Sequence, residues 1–148
     1  MEITYTNTIT AEEANYIRKS VGFRQIHPEQ MRADLDGSTM VWAAYEKKQI
    51  VGMARLFWNG GAGASIQDIL VVPAYQMRGI EQKMIIRILD FLRSKLKPGF
   101  GIQLDIRAWG GQEALCESLG FQISTPQRRG VPMHICLTDQ IELTDAMF

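Results

Sequence analysis

Apolar residues recur through the middle of the chain at Ile80, Met84, Ile85, Ile88, Leu89, Phe91 and Leu92. Lys83, Arg87, Asp90 and Ser94 take positions between them. At about 100° per residue the two groups fall on opposite faces, so 79–96 reads as an amphipathic helix. Other stretches follow a period of two. "EITYT" (2–6), "TMVWAAYE" (39–46), "QIVGMARLFW" (49–58), "GASIQDILVVP" (63–73), "GIQLDIRAW" (101–109) and "MHICLT" (133–138) read as strands. A turn near Lys47–Lys48 makes 39–58 a hairpin. Two shorter helices are marked by their ends. Thr10 is an N-cap ahead of Glu12 and Glu13, with Gly22 beyond the stop, which predicts a helix over 11–20. Pro28 at the first helical position and Gly37 at the end bound a second. "GGQEALCESLGF" gives a late helix, and "PQRRG" (126–130) a solvated loop.

The order β-α-α-β-β-β-α-β-α-β predicts an α/β fold, a mixed, mostly antiparallel sheet flanked by helices. The long helix forces a crossover, so the strand near 101–107 runs parallel to that near 64–72. The chain has 148 residues, 46% hydrophobic and 22% charged, which suits one domain over 1–148. Sixteen basic residues balance sixteen acidic ones, against the basic surface that nucleic-acid binding needs. No apolar run approaches the ~20 residues of a membrane span. Two cysteines, no metal-ligand spacing and no signal-peptide pattern give a cytoplasmic expectation without a metal.

"VVPAYQMRGIEQKM" (71–84) carries the candidate chemistry. An apolar strand ends at a proline, a loop passes one glycine, and a helix begins. The free N–H groups and positive dipole end of a helix start attract anions. Gln76, Met77, Arg78, Gly79 and Ile80 supply backbone N–H groups, and Arg78 adds a positive charge. Glu81 stands in the first turn, mid-way across the apolar face of the helical wheel.

"DILVVPAYQMRGIEQKMIIRIL" resembles motif A of the GNAT acyltransferase superfamily, in which a V-x-P strand end leads into a Q/R-x-x-G-x-G/A loop. Gln76, Arg78 and Gly79 stand at matching positions, and "ALCESLGF" (114–121) resembles a later family element, "LYEKLGF". The element order is also the family's, so the likeness covers nearly the whole chain. The resemblance implies a GNAT fold and acetyl-CoA, or another acyl-CoA, as cosubstrate. It implies transfer of the acyl group by direct attack of an amine on a small molecule or peptide. The cofactor-binding residues it implies are Leu70, Val71, Val72, Gln76, Met77, Arg78, Gly79, Ile80, Glu81 and Gln82. A homodimer is also within the family pattern.

Two positions depart from that pattern. Glu81 stands where Gly or Ala is usual. A carboxylate about 5 Å from a phosphate opposes binding by roughly 3 kcal/mol at an effective dielectric near 20, or about a hundredfold in affinity. Alternatively, Glu81 pairs with the helix dipole and swings clear. Cys116 stands where the family has a Tyr near the sulfur. It is either the acid for the departing thiolate or a small buried packing residue. Both departures also admit a CoA-binding or sensing module with weakened catalysis.

A backbone N–H from Leu70 to Val72 is expected to polarise the thioester carbonyl. Asp68 is the candidate base. Alternation places Ile66, Asp68, Leu70 and Val72 on one face, with Gln67, Ile69 and Val71 on the other. A structural ion pair with Arg55 or Arg107 is the competing role for Asp68. Arg18, Phe23, Trp42, Trp58 and Trp109 are further candidates for an acceptor pocket, and His27 and His134 have no assigned role.

Overall fold

The structure, a computed structural model, describes residues 2–139. The chain divides into two compact units, one ending at Arg107 and the other beginning at Ala108. The elements of the first are β1 (Ile3–Thr6), α1 (Ala11–Ser20), α2 (Pro28–Gly37), β2 (Met40–Glu46), β3 (Gln49–Trp58), β4 (Gly63–Val71), a 3-10 turn at Pro73–Tyr75, α3 (Ile80–Ser94) and β5 (Gln103–Ile106). The second unit holds α4 (Gln112–Ser118) and α5 (Pro126–Arg129).

The five strands form one sheet in the order β1-β2-β3-β4-β5. The first three pairings are antiparallel, and β4 with β5 is parallel, as the crossover through α3 requires. Helix α1 packs on β3 and β4 from one side, with α2 beside it. Helix α3 packs on the same strands from the other side. Its buried stripe is Ile80, Met84, Ile85, Ile88 and Leu92, the apolar face of the sequence pattern.

Local signals account for the helix ends. The Thr10 side chain accepts from the Glu13 N–H while the Glu13 carboxylate accepts from the Thr10 N–H, a reciprocal cap at 3.0 Å each way. His27 caps α2, its Nδ1 accepting the Glu29 N–H. Gly79, the N-cap of α3, has φ 83°, a left-handed conformation that side chains resist.

Two expectations change. "PQRRG" contains one short helical turn rather than a loop. The strand expected over 133–138 is in no ladder among the described residues. Its alternation is present, with Val131, Met133, Ile135 and Leu137 all strongly exposed. A period of two supplies an apolar face, but a strand also needs a neighbour for its backbone groups, and no local pattern provides one.

Candidate acyl-CoA site

Strand β4 is interrupted at Asp68. Between the pairs Met53↔Leu70 and Arg55↔Gln67, β3 advances two residues and β4 three, which is a β-bulge. Asp68 takes φ 53° there, unusual for a residue with a side chain. The bulge corrects the simple alternation expected for this strand. Ile66 pairs with Leu56 and Leu70 with Met53. Leu56 and Met53 are three residues apart on a regular strand, so Ile66 and Leu70 lie on opposite faces. Val71 joins the α3 face, its side chain lying near Gly52, where Ile80 also approaches.

The bulge turns Asp68 toward α1. Arg55 Nε donates to Asp68 Oδ2 at 2.9 Å, and the Arg55 Nη2 lies 2.8 Å from the same oxygen. Arg18 Nη1 donates to Oδ1 at 3.3 Å. Both carboxylate oxygens therefore face guanidinium groups, and all three side chains are at most 16% exposed. Of the two roles left open by the sequence, these surroundings are those of the ion pair. Arg55 is its partner, as expected, and Arg18 is a second one. Arg18 Nε also donates to the Arg24 carbonyl, and its guanidinium lies 5.4 Å from the Phe23 ring centre. The bulge, α1 and the segment after it are thus tied at one point.

Beyond Ile66, β4 loses β5. The parallel ladder ends at Ile66↔Ile106. On the other flank, Val72 donates its N–H to the Val51 carbonyl at 2.9 Å. N–H directions alternate along a strand, so those of Leu70 and Val72 face β3 and that of Val71 faces the side that β5 has left. Of the three N–H groups offered by the sequence, Val71 carries the one directed there. The Val71 carbonyl faces the same way and accepts from Gln76 Nε2 at 2.9 Å, which folds the loop back on the strand end.

The loop itself is held by contacts of long sequence range. Tyr75 donates its hydroxyl to Glu46 on β2, a hydrogen bond that pushes the Tyr75 phenol upward in pKa. The Arg78 guanidinium lies 5.3 Å from the Tyr75 ring centre. Met77, fully exposed, and Gly79 both adopt positive φ, 60° and 83°. The first hydrogen bond of α3 runs from the Lys83 N–H to the Gly79 carbonyl at 3.1 Å. The N–H groups of Ile80, Glu81 and Gln82 therefore precede the helical ladder, as at any helix start.

Glu81 is half-buried on the inner side, as the helical wheel implied. Burial pushes its carboxyl pKa upward, opposed by a hydrogen bond from its own backbone N–H. Its charge is felt by Tyr5 on β1. Arg87, two turns along α3, stacks on Tyr5 at 4.7 Å and on Trp42 at 4.9 Å. Trp42 accordingly lies on the α3 face, away from the Arg18–Asp68 group. Trp58 packs edge-on to Phe91, with its Nε1 donating to the Gly61 carbonyl. Neither indole joins Arg18 and Phe23.

In the second unit, Cys116 is buried in α4. Burial and the neighbouring Glu113 carboxylate push its thiol pKa upward. Trp109 lies at the start of this unit and is 42% exposed. His134 lies in the 131–138 segment, which is in no strand.

A strand edge carrying a directed N–H, followed by a left-handed turn and the start of a fifteen-residue helix, gives this α/β protein a candidate anion site. The family model for the acetyltransferase (GNAT) domain matches residues 5–137, and the chain belongs to that family. A solved structure from meticillin-resistant Staphylococcus aureus, described as a "probable acetyltransferase", superposes with a TM-score of 0.82 at 20% identity, covering 92% of this chain and all of that one. A GNAT-family acetyltransferase from Streptococcus pneumoniae gives 0.69 at 20% identity, over 94% and 98%. The ribosomal-protein-S18-alanine N-acetyltransferase of Escherichia coli gives 0.66 at 20% identity, over 84% and 80%. No curated protein matches the sequence. Among the described residues no group of three His, Cys, Asp or Glu side chains could hold a metal, and no helix is long and apolar enough to cross a membrane.

Proposed function

We propose that this protein transfers an acetyl or related acyl group from acyl-CoA to an amine of a small molecule or peptide. The observation that carries this reading is the continuity of the Val71 N–H with the Gln76–Gln82 loop and helix start. One strand edge and one helix end together offer backbone donors in succession, as a pantetheine diphosphate would need. The donor set suits that ligand, with backbone N–H groups for diphosphate oxygens and Arg78 beside them for charge. Acyl-CoA supplies the thioester. The amine attacks its carbonyl carbon, a C–N bond forms, and the C–S bond breaks with the electron pair leaving on sulfur. The Val71 N–H is placed to donate to the carbonyl oxygen as charge develops on it.

The bulge at Asp68 bends β4 where the acceptor amine would approach. Arg18, Phe23 and Asp68 form the wall on that side. Asp68, already held between two guanidinium groups, serves as the anchor of the bulge, and the proton of the amine passes to water. Cys116 keeps its own proton at neutral pH and acts by packing. The protein is active in the cytoplasm on this reading. The alanine N-acetyltransferase among its structural relatives supports an amine acceptor by analogy only.

A CoA-binding module without transfer is the second reading, and the observation favouring it is Glu81 at the helix start. Titration calorimetry with acetyl-CoA tests both. Binding in the micromolar range is expected, and absence of binding at millimolar ligand ends both readings. A panel of amines, followed by thiol release, then separates them. Release stimulated by at least one amine identifies the enzyme.

A further inference from the structure

The segment between β4 and α3 is pinned to three strands. The Val72 N–H donates to the Val51 carbonyl on β3. Gln76 Nε2 donates to the Val71 carbonyl at the end of β4. The Tyr75 hydroxyl donates to Glu46 Oε1, on the last residue of β2. In the sheet β3 stands between β2 and β4, so this third bond reaches past β3 to the strand beyond it. Glu46 pairs with Gln49 across the hairpin turn and with Ile3 on β1. The phenol is therefore tied to a residue whose backbone is held on both sides.

Beyond these ties the chain turns sharply. Met77 has φ 60° and Gly79 φ 83°, with Arg78 between them. Met77 carries a side chain in this left-handed region and is fully exposed, so packing of that side chain does not hold it there. Such a conformation persists where the surrounding structure over-determines it. The ties before it and α3 after it do so here. The outcome is a direction for one charge. The Arg78 guanidinium lies over the Tyr75 ring, 5.3 Å from its centre. The face of an aromatic ring attracts a cation, and Glu46 fixes the far end of this ring. A long, exposed arginine otherwise samples many rotamers, and ordering it at the moment of binding weakens affinity.

We propose that Tyr75 is a positioning residue of the loop. Anchored to Glu46 through its hydroxyl, it lays its ring beneath Arg78 and so pre-orders the charge that meets the diphosphate of acyl-CoA. This role rests on the acyl-CoA reading of the loop. Tyr75 acts through Arg78 rather than on the ligand, and Glu46, an acid beside an anion site, serves by fixing the phenol.

The test is a double-mutant cycle, with calorimetry of the full chain and acetyl-CoA. Tyr75→Phe keeps the ring and removes its tie, and is expected to weaken binding about three- to tenfold. In an Arg78→Ala background the same change is expected to weaken it by less than about twofold, because the side chain it positions is gone. The bond is tested independently from its other end. Glu46→Gln, which keeps an oxygen for the hydroxyl, is expected to bind more tightly than Glu46→Ala, although both have lost the same charge. Wild-type affinity in Tyr75→Phe, or an equal loss in both backgrounds, would overturn the positioning role and leave the acyl-CoA site intact. Equal binding by the two Glu46 variants would overturn the anchor. If wild type does not bind acetyl-CoA, the site reading falls and the positioning role falls with it.

Discussion

The Asp68 carboxylate is fastened to Arg55 through one oxygen, which lies 2.9 Å from Nε and 2.8 Å from Nη2. The pair joins neighbouring strands across the one irregular point of β4. It also reaches the helical layer, since Arg55 Nη1 donates to the Asp34 carbonyl on α2 at 3.1 Å and Arg18 on α1 holds the second oxygen of Asp68. An acid in the middle of an apolar strand is thereby explained by what stands over it.

Removing the Asp68 charge strands two guanidinium groups that are nearly buried. Breaking a buried pair on one side is strongly destabilising because the remaining charge stays out of water. Asp68→Asn is expected to lower the unfolding free energy by about 3 kcal/mol in urea titrations. A loss below about 1 kcal/mol, the value of a surface pair, would contradict the anchoring role.

Gly79 has φ 83°, and a Cβ placed there would meet nothing within 4 Å. The resistance to substitution is conformational rather than steric. Gly79→Ala is expected to destabilise the protein by about 1–2 kcal/mol. For a chain of this size that lowers the melting temperature by about 2–8 °C in calorimetry. Gly101→Ala, also in open space but without a positive φ, serves as the control and should stay within about 0.5 kcal/mol of wild type.

Glu81 makes a prediction about stability apart from any ligand. Its pKa in the folded protein is raised above the ordinary 4.5. Between that value and the raised one, the native state binds more protons than the unfolded state, so stability falls as pH rises through the window. Glu81→Gln should remove this slope and be the more stable protein above the window. Denaturant midpoints measured in steps across the acid range, in both proteins, report it. A slope of the opposite sign in wild type relative to the variant would show that the helix dipole outweighs burial.

Cys116 and Cys136 should be distinguishable by reagent. Cys116 is buried with a raised thiol pKa, while Cys136 is partly exposed. The thiolate is the reactive form, so a chromogenic disulfide is expected to label Cys136 first near pH 7 and Cys116 only on unfolding or at alkaline pH. Cys116→Ala should keep its transfer rate within a few-fold of wild type while losing about 1 kcal/mol of stability. A drop of a hundredfold in rate with binding intact would instead make the thiol the acid for the leaving sulfur.

The sequence by itself determined what depends on neighbours a few residues apart. Thr10 with Glu13, His27 with Pro28, and Gly79 ahead of the apolar stripe set the helix starts through bonds spanning at most four residues. Period and element order gave the sheet, its antiparallel hairpin and its parallel crossover. The V-x-P strand end and Gln76-x-Arg78-Gly79 marked the loop as a candidate CoA-type site. Only tertiary structure decided how that site is built, because its partners are distant along the chain. Arg18 meets Asp68 from 50 residues away, Arg55 from 13, and Tyr75 meets Glu46 from 29. The extra residue in β4 leaves no mark on its apolar pattern, yet it reverses the face of Asp68 and of every residue after it. Ladder partners are chosen in the same way. The Ile66↔Ile106 pair ends the run with β5 and leaves the Val71 N–H directed to the open side, whereas the equally alternating 131–138 segment is in no ladder among the described residues. A backbone group acquires its role from what lies across from it, and that is fixed only when the chain is folded.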